Sequence, residues 1–337
     1  MYGGIIHEGA KKVKKSFVRA LSTVCLFAAG AFFMGCANPS GGNDGSGNGS
    51  SNSGFGTGSG SGTGGKTPPV TYIGRKTPGT VLAVGDIVFN DGSATSYSVI
   101  DARTDKKCTD AEKAAAIAVI FRVGDGTEGN KTLGVGIKHE RNGLAWCKDS
   151  SIKGYSTNFT ETVCDPDVGT EAPSLTFKNS PNTDGSKNLG KMVLQMGDDD
   201  DTKLTVLKSG KLLLIDKKAS TYYTNFKKNY PAFEFAYYYG LNYGHNITSG
   251  SDFENGWYLP SLSELNDIYQ ANKTGKVIEN ALGATGGNKF EGSSYWSSSQ
   301  YASNVNYAYE LCFYDGNRYN NVKVNNTISV CAVRAFN

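Results

Sequence analysis

Ser293-Ser294-Tyr295-Trp296-Ser297-Ser298-Ser299-Gln300 opens the stretch whose reading decides the fold, and Val333-Arg334-Ala335-Phe336 closes it. Between Tyr301 and Asn326 lie seven Asn and five Tyr in 26 residues, yet Ala308, Leu311, Phe313, Gly316 and Lys323 run through them as a regular frame. A fixed frame carrying Tyr and Asn suits recognition, because Tyr offers a large amphipathic contact at low entropy cost and Asn bonds in many geometries. In Tyr309-Glu310-Leu311-Cys312-Phe313-Tyr314, alternate side chains of a strand point to opposite faces. Tyr309, Leu311 and Phe313 suit the core, which turns Glu310, Cys312 and Tyr314 outward.

Working back from this stretch, Gly256-Trp257-Tyr258-Leu259-Pro260-Ser261 leads into a helix. Ser261 and Glu264 have capping-box spacing, and Leu262, Leu265, Ile268 and Tyr269 recur at helical intervals to about Asn272. Val277 to Leu282 adds a short turn. Pro231 starts a short helix with Phe233, Phe235, Ala236 and Tyr239 apolar around it, so that helix is buried on several sides. Val81 to Phe89 reads as a strand entering the Asn90-Asp91-Gly92 turn. Asp110 to Ala118 reads as helical, then Val119 to Val123 and Leu133 to Ile137 as strands. Trp146 marks a buried aromatic position. Residues 150–225 are polar and irregular apart from Leu212 to Ile215. The Asp198 to Asp201 run reads as a solvated acidic loop, its spacing matching no calcium-ligand loop.

The N-terminus is not fold. Lys11, Lys12, Lys14, Lys15 and Arg19 precede the apolar run Val24 to Met34, the pattern of a signal peptide. Phe33-Met34-Gly35-Cys36 resembles a bacterial lipobox, which implies a lipid-modified Cys36 and an anchor in the outer membrane, with the domain displayed at the surface. Ser40 to Gly65 holds twelve Gly in 26 residues; such a chain cannot bury enough apolar surface to order itself, and as a coil it spans roughly 25–30 Å. The expected organisation is therefore signal peptide over 1–35, lipidated Cys and tether over 36–65, and one domain over 66–337. Polar insertions fall around 150–225 and the Tyr/Asn-rich region at about 295–336.

The leader takes five of the 34 basic residues and leaves the remainder close to neutral, with no basic stripe for nucleic acid. Five cysteines stay in the domain: Cys108, Cys147, Cys164, Cys312 and Cys331. Their odd number leaves at least one unpaired, and connectivity is not legible. No C-x-x-C, phosphate loop or G-x-S-x-G elbow occurs, and His139 and His245 are the only histidines beyond the leader. These features give no expected cofactor, metal or catalytic residue.

Trp257-Tyr258-Leu259-Pro260-Ser261-x-x-Glu264-Leu265, Tyr295-Trp296-Ser297-Ser298-Ser299, Phe313-x-x-Gly316, Lys323 and Val333-Arg334-Ala335-Phe336 form an ordered set of motifs. The set resembles C-type lectin-like domains of the formylglycine-generating-enzyme type, and within them the variable proteins of diversity-generating retroelements. The resemblance implies an α+β, C-type lectin-like fold: a small mixed sheet, two helices, long irregular loops, and a C-terminal strand returning to the N-terminal one. It also implies a binding face whose Asn codons are rewritten at adenines. Tyr307, Cys312, Tyr314, Asp315, Asn317, Arg318, Tyr319, Asn320, Asn321, Val322, Val324, Asn325 and Asn326 are reachable that way, whereas Gln300, Glu310 and Lys323 are not. With Tyr301, Asn304 and Asn306 these reachable positions make up the candidate ligand-binding face, whose partner is an unidentified protein or glycan at the cell surface. Without diversification the same face reads as that of a glycan- or protein-binding adhesin. An oxidase of the formylglycine-generating type would need a paired-cysteine copper site, and Cys312 and Cys331 stand nineteen residues apart without that family's catalytic surroundings.

Overall fold

The chain divides into Met1–Lys66 and Thr67–Asn337. The structure, a computed structural model, describes residues 70–127, 130–171, 174–196, 204–206, 212–214, 228–243 and 246–336. The leader, Cys36, the tether and the Asp198 to Asp201 run lie outside the described residues.

Strands β1 (Asp86–Phe89), β2 (Ala94–Ser96), β3 (Ala116–Arg122), β4 (Leu133–Gly136), β7 (Trp257–Tyr258) and β11 (Val333–Ala335) form a six-stranded sheet in the order β2-β1-β3-β4-β11-β7. Strands β8 (Ser294–Gln300), β9 (Tyr307–Cys312) and β10 (Arg318–Val322) form a second sheet, β10-β9-β8, with β10 at its edge. A third ribbon pairs β5 (Leu204–Val206) with β6 (Leu212–Leu214). The helices are α1 (Tyr97–Asp101), α2 (Asp110–Ala115), α3 (Lys153–Ser156), α4 (Gly185–Met196), α5 (Pro231–Tyr237), α6 (Leu262–Lys273) and α7 (Val277–Ala284).

Period-two alternation sends the two faces of both larger sheets into separate apolar clusters. On one side Val119, Phe121, Val135 and Val333 meet Leu262, Leu265 and Ile268 of α6, Ile278 and Leu282 of α7, and Tyr295, Tyr309, Leu311 and Phe313. On the other, Ala118, Ile120, Ala332 and Phe336 meet Leu189 and Met192 of α4, Phe233 and Phe235 of α5, and Trp146, Trp257, Trp296 and Ala308. The sheets are therefore a middle layer with helices on both faces.

This architecture overturns the expected C-type lectin-like topology. Among the described residues, a six-stranded and a three-stranded sheet replace one small mixed sheet, every pairing between the named strands is antiparallel, and helices α1 to α7 replace two. The C-terminal strand β11 lies between β4 and β7 rather than beside the first strand.

Local readings fared unevenly. The Ser261–Glu264 capping box forms: Ser261 Oγ accepts from the Glu264 N–H at 3.2 Å and Glu264 Oε2 accepts from the Ser261 N–H at 2.8 Å. The first strand starts at Asp86, not Val81, because the buried Asp86 carboxylate turns the chain there. It accepts from the Ala83 N–H at 2.8 Å and the Ser96 hydroxyl at 2.6 Å, and it pairs with Lys76. Helix α2 stops at Ala115, where Ala116 enters β3. Within the supposedly irregular 150–225 region, α4 forms and buries Leu189 and Met192.

Candidate functional site

The hairpin of β9 and β10, the turn 313–317 joining them and the flanking segments 301–306 and 323–327 bring the Tyr/Asn-rich residues together. None of the sixteen sequence-derived candidates is buried, while Ala308, Leu311, Phe313, Gly316 and Lys323 all are. The registers Arg318↔Leu311, Tyr319↔Glu310, Asn320↔Tyr309, Asn321↔Ala308 and Val322↔Tyr307 place each β10 residue beside a β9 partner. Because β9 is central and β10 is at the edge, the β9 side chains reach the two cores and those of β10 overhang them.

The most exposed part is the turn and the start of β10. Tyr314 is 84% exposed and Tyr319 46% exposed, with Arg318 and Asn320 also exposed. Tyr319 donates its hydroxyl to Asp315 Oδ2 at 2.9 Å, while Asp315 Oδ1 accepts the Asn317 N–H at 2.9 Å. Burial pushes the Asp315 carboxyl up, but the bonds from Asn317 and Tyr319 reverse this and leave it below its ordinary value. The Asp315 bond in turn raises the Tyr319 phenol. Arg318 lies over the Tyr309 ring at 5.8 Å, and Tyr301 meets the same ring edge-on at 5.3 Å. The Tyr309 hydroxyl donates to Asp165. Asp165 comes from the polar 150–225 region, and no local sequence signal points to it.

Several candidates spend a side-chain oxygen on their own backbone. Asn304 Oδ1 accepts from the Asn306 N–H at 3.0 Å, Asn321 Oδ1 from the Val322 N–H at 2.9 Å and Asn325 Oδ1 from the Thr327 N–H at 2.9 Å. These side chains set turns as well as offering contact, as Asn does wherever it competes with regular structure. Tyr307, Val322, Val324 and Cys312 are half-buried at the margins, and Asn326 is exposed.

One frame residue differs from its reading. Glu310, expected to face outward, is 6% exposed: its face of β9 lies against the second core, on one rung with Trp296 and Tyr319. Arg334, whose residue type is more often a member of an ion pair, donates to the backbone oxygens of Asn255 at 2.8 Å and Asp252 at 2.6 Å, with its guanidinium over Phe253 and Phe336. Lys323 is fully buried, donates to Gly154 O and Gln300 Oε1, both at 2.9 Å, and lies 4.5 Å from the Trp146 ring. Burial brings its pKa down to about 7.

Cys108, Cys147, Cys164, Cys312 and Cys331 are all free. Among the described residues no group of three or more His, Cys, Asp or Glu is placed to hold a metal ion, and no helix is long and apolar enough to cross a membrane. A surface depression lies elsewhere, lined by Arg75, Ser98, Val99, Ala102 and Arg103. Its Arg103 is committed to both oxygens of Glu112.

No family model matches the chain, and no curated protein does. Among solved structures it is similar to a fimbrial protein from Bacteroides ovatus ATCC 8483, with 18% identity and a TM-score of 0.44, over 76% of this chain and 49% of that one. The chain thus spans about half the length of that protein, and the overlap is too loose to carry a function across. The sheet and helix arrangement is what overturns the resemblance to C-type lectin-like domains and, with it, to retroelement variable proteins. The reading of these residues as adenine-diversified positions falls with it.

Proposed function

We propose that this protein is a non-catalytic binding module acting at the cell exterior, an adhesin in the broad sense, whose contact face is the edge strand β10 with the turn before it. The observation that supports this most is the exposure of Tyr314 and Tyr319 beside Arg318 and Asn320 on a hairpin whose other strand is locked into two cores. Tyr and Arg dominate contact energy at recognition surfaces, and a rigid support lowers the ordering cost of binding. The ligand is a protein or glycan presented outside the cell.

The test is binding of purified protein to arrays of extracellular-matrix proteins and glycans, comparing wild type with the double variant Tyr319→Ala, Asn320→Ala. A ligand of this face loses affinity roughly tenfold or more in the variant while the unfolding midpoint stays unchanged. Binding that survives both substitutions places the contact elsewhere and overturns the assignment.

A further inference from the structure

Glu310 is the one charged side chain of β9, the central strand of its sheet, and its surroundings are unusual for a carboxylate. Its rung runs from Trp296 on β8 to Tyr319 on β10. It is 6% exposed, and its Oε2 is shielded from solvent with no hydrogen-bond partner among the described residues. Asn321 and Ser294 are the side chains that hydrogen-bond it. A buried carboxylate normally has an ion pair or several donors, because an ionised group left short of partners in a low-dielectric site carries a large desolvation cost.

The groups around it supply no such compensation. On β10 the titratable neighbour is Tyr319, whose hydroxyl is turned to Asp315, and on β9 it is Cys312. On β8 the facing residues are Ser294 and Trp296, neither of them titratable. The segment 140–146, whose Leu144 carbonyl accepts from Trp296 Nε1 at 2.8 Å, carries Glu140 and Arg141, and Arg141 is engaged with Glu291 at 3.7 Å. Among the described residues no salt bridge holds Glu310. Burial is the largest influence on its carboxyl, the bonds from Asn321 and Ser294 oppose it, and the result is a pKa raised to about 7.

We propose that Glu310 is a pH-sensitive latch beneath the binding face, which keeps β10 closed on β9 while its carboxyl is protonated and loosens that edge strand when it ionises. The sealed position of Oε2 excludes direct contact with a ligand, so the group acts through the strand above it. Protonated, the carboxyl tolerates its dry site. Ionised, it needs water or donors, and the nearest way to admit them is to part β10, which among the described residues has no strand on its far side, from β9. The contact face carried by Arg318, Tyr319 and Asn320 is then ordered below neutral pH and mobile above it. That functional consequence rests on the binding face assigned above; the latch itself does not.

The experiment is hydrogen exchange of the intact protein followed by mass spectrometry between about pH 5.5 and pH 8.5, corrected for intrinsic exchange. Protection of residues 318–322 is expected to fall roughly tenfold per pH unit as the pH climbs to about 7 and to level off above it, with β3 and β4 unchanged, and to stay flat and high in Glu310→Gln. Flat protection in wild type, or the same fall in Glu310→Gln, overturns the proposal. Should Glu310→Gln fail to fold, a carboxyl-carbon NMR titration of wild type decides, since a Glu310 resonance titrating at the ordinary glutamate position overturns it equally. No ligand enters either measurement, so loss of the latch and loss of the binding reading are told apart.

Discussion

At the scale of the residue, Glu264 shows how much one side chain organises. Its Oε2 accepts from the Ser261 N–H at 2.8 Å and the Gly185 N–H at 3.1 Å, so it caps α6 and the start of α4 together, while Oε1 accepts from the Tyr258 hydroxyl at 3.0 Å. Burial and then the nearby Asp184 raise its pKa to about 7 against the pull of Arg122. Glu264→Ala should destabilise the protein by about 3 kcal/mol, one lost cap plus donors left unpaired. Glu264→Gln should cost about 1 kcal/mol, since an amide oxygen still accepts both N–H groups and the amide NH2 can donate to the tyrosine oxygen. Equal losses by urea denaturation would refute this division of labour. The capping half was legible as Ser-x-x-Glu; the bond to Gly185, 79 residues away, was not, because nothing local records it.

At the scale of the element, the β9–β10 hairpin is fixed from below. Gly316 closes the turn at φ +74°, and a Cβ there would lie 2.4 Å from the Tyr269 ring of α6. Tyr269 in turn meets Phe313 edge-on at 6.1 Å. Gly316→Ala therefore combines left-handed strain with a clash, and should cost about 3 kcal/mol. A shift below about 0.5 kcal/mol in equilibrium unfolding would show that the turn does not bear on α6. The sequence marked Gly316 as frame, with Phe313 in the spacing Phe313-x-x-Gly316. It also separated Leu311 and Phe313 from Cys312 and Tyr314 correctly. It misplaced Glu310, because alternation tells two faces apart without telling whether the second is covered. Trp296 and Ala308 on that second face belong to a core assembled from α4, α5 and residues 144–159, which no inspection of 295–336 reveals.

At the scale of the whole molecule, four buried groups with displaced titrations shape stability near neutrality, one of them His139, which burial pulls down to about 3 so that below about pH 6.5 it partly offsets the two glutamates. Glu264 and Glu310, raised to about 7, keep protons in the folded state that the unfolded chain releases, so stability falls as pH climbs from the ordinary glutamate range to about 7. Lys323, lowered to about 7, has the opposite effect above that point: the unfolded chain holds the proton up to the ordinary lysine range, and stability rises with pH. Between about pH 5 and 9 the melting temperature should pass through a shallow minimum near pH 7. The double variant Glu264→Gln, Glu310→Gln should abolish the fall toward pH 7, leaving stability that rises with pH below about 6.5 through His139 and above about 7 through Lys323. Scanning calorimetry across that range would check it, and a monotonic profile in wild type would count against it.

The sequence by itself determined the local and periodic features. These were the capping box at Ser261, the alternation along β9, the frame residues against the unburied Tyr and Asn positions, and the core aromatics Trp146 and Phe313. Each follows from short-range sterics or from the period of a helix or strand. Tertiary structure alone decided which strands pair, that β11 inserts between β4 and β7, that helices cover both faces of the sheets, and that Glu310 is sealed rather than presented. Those outcomes depend on contacts between residues far apart in the chain, where many pairings bury similar apolar area and only the assembled packing selects one.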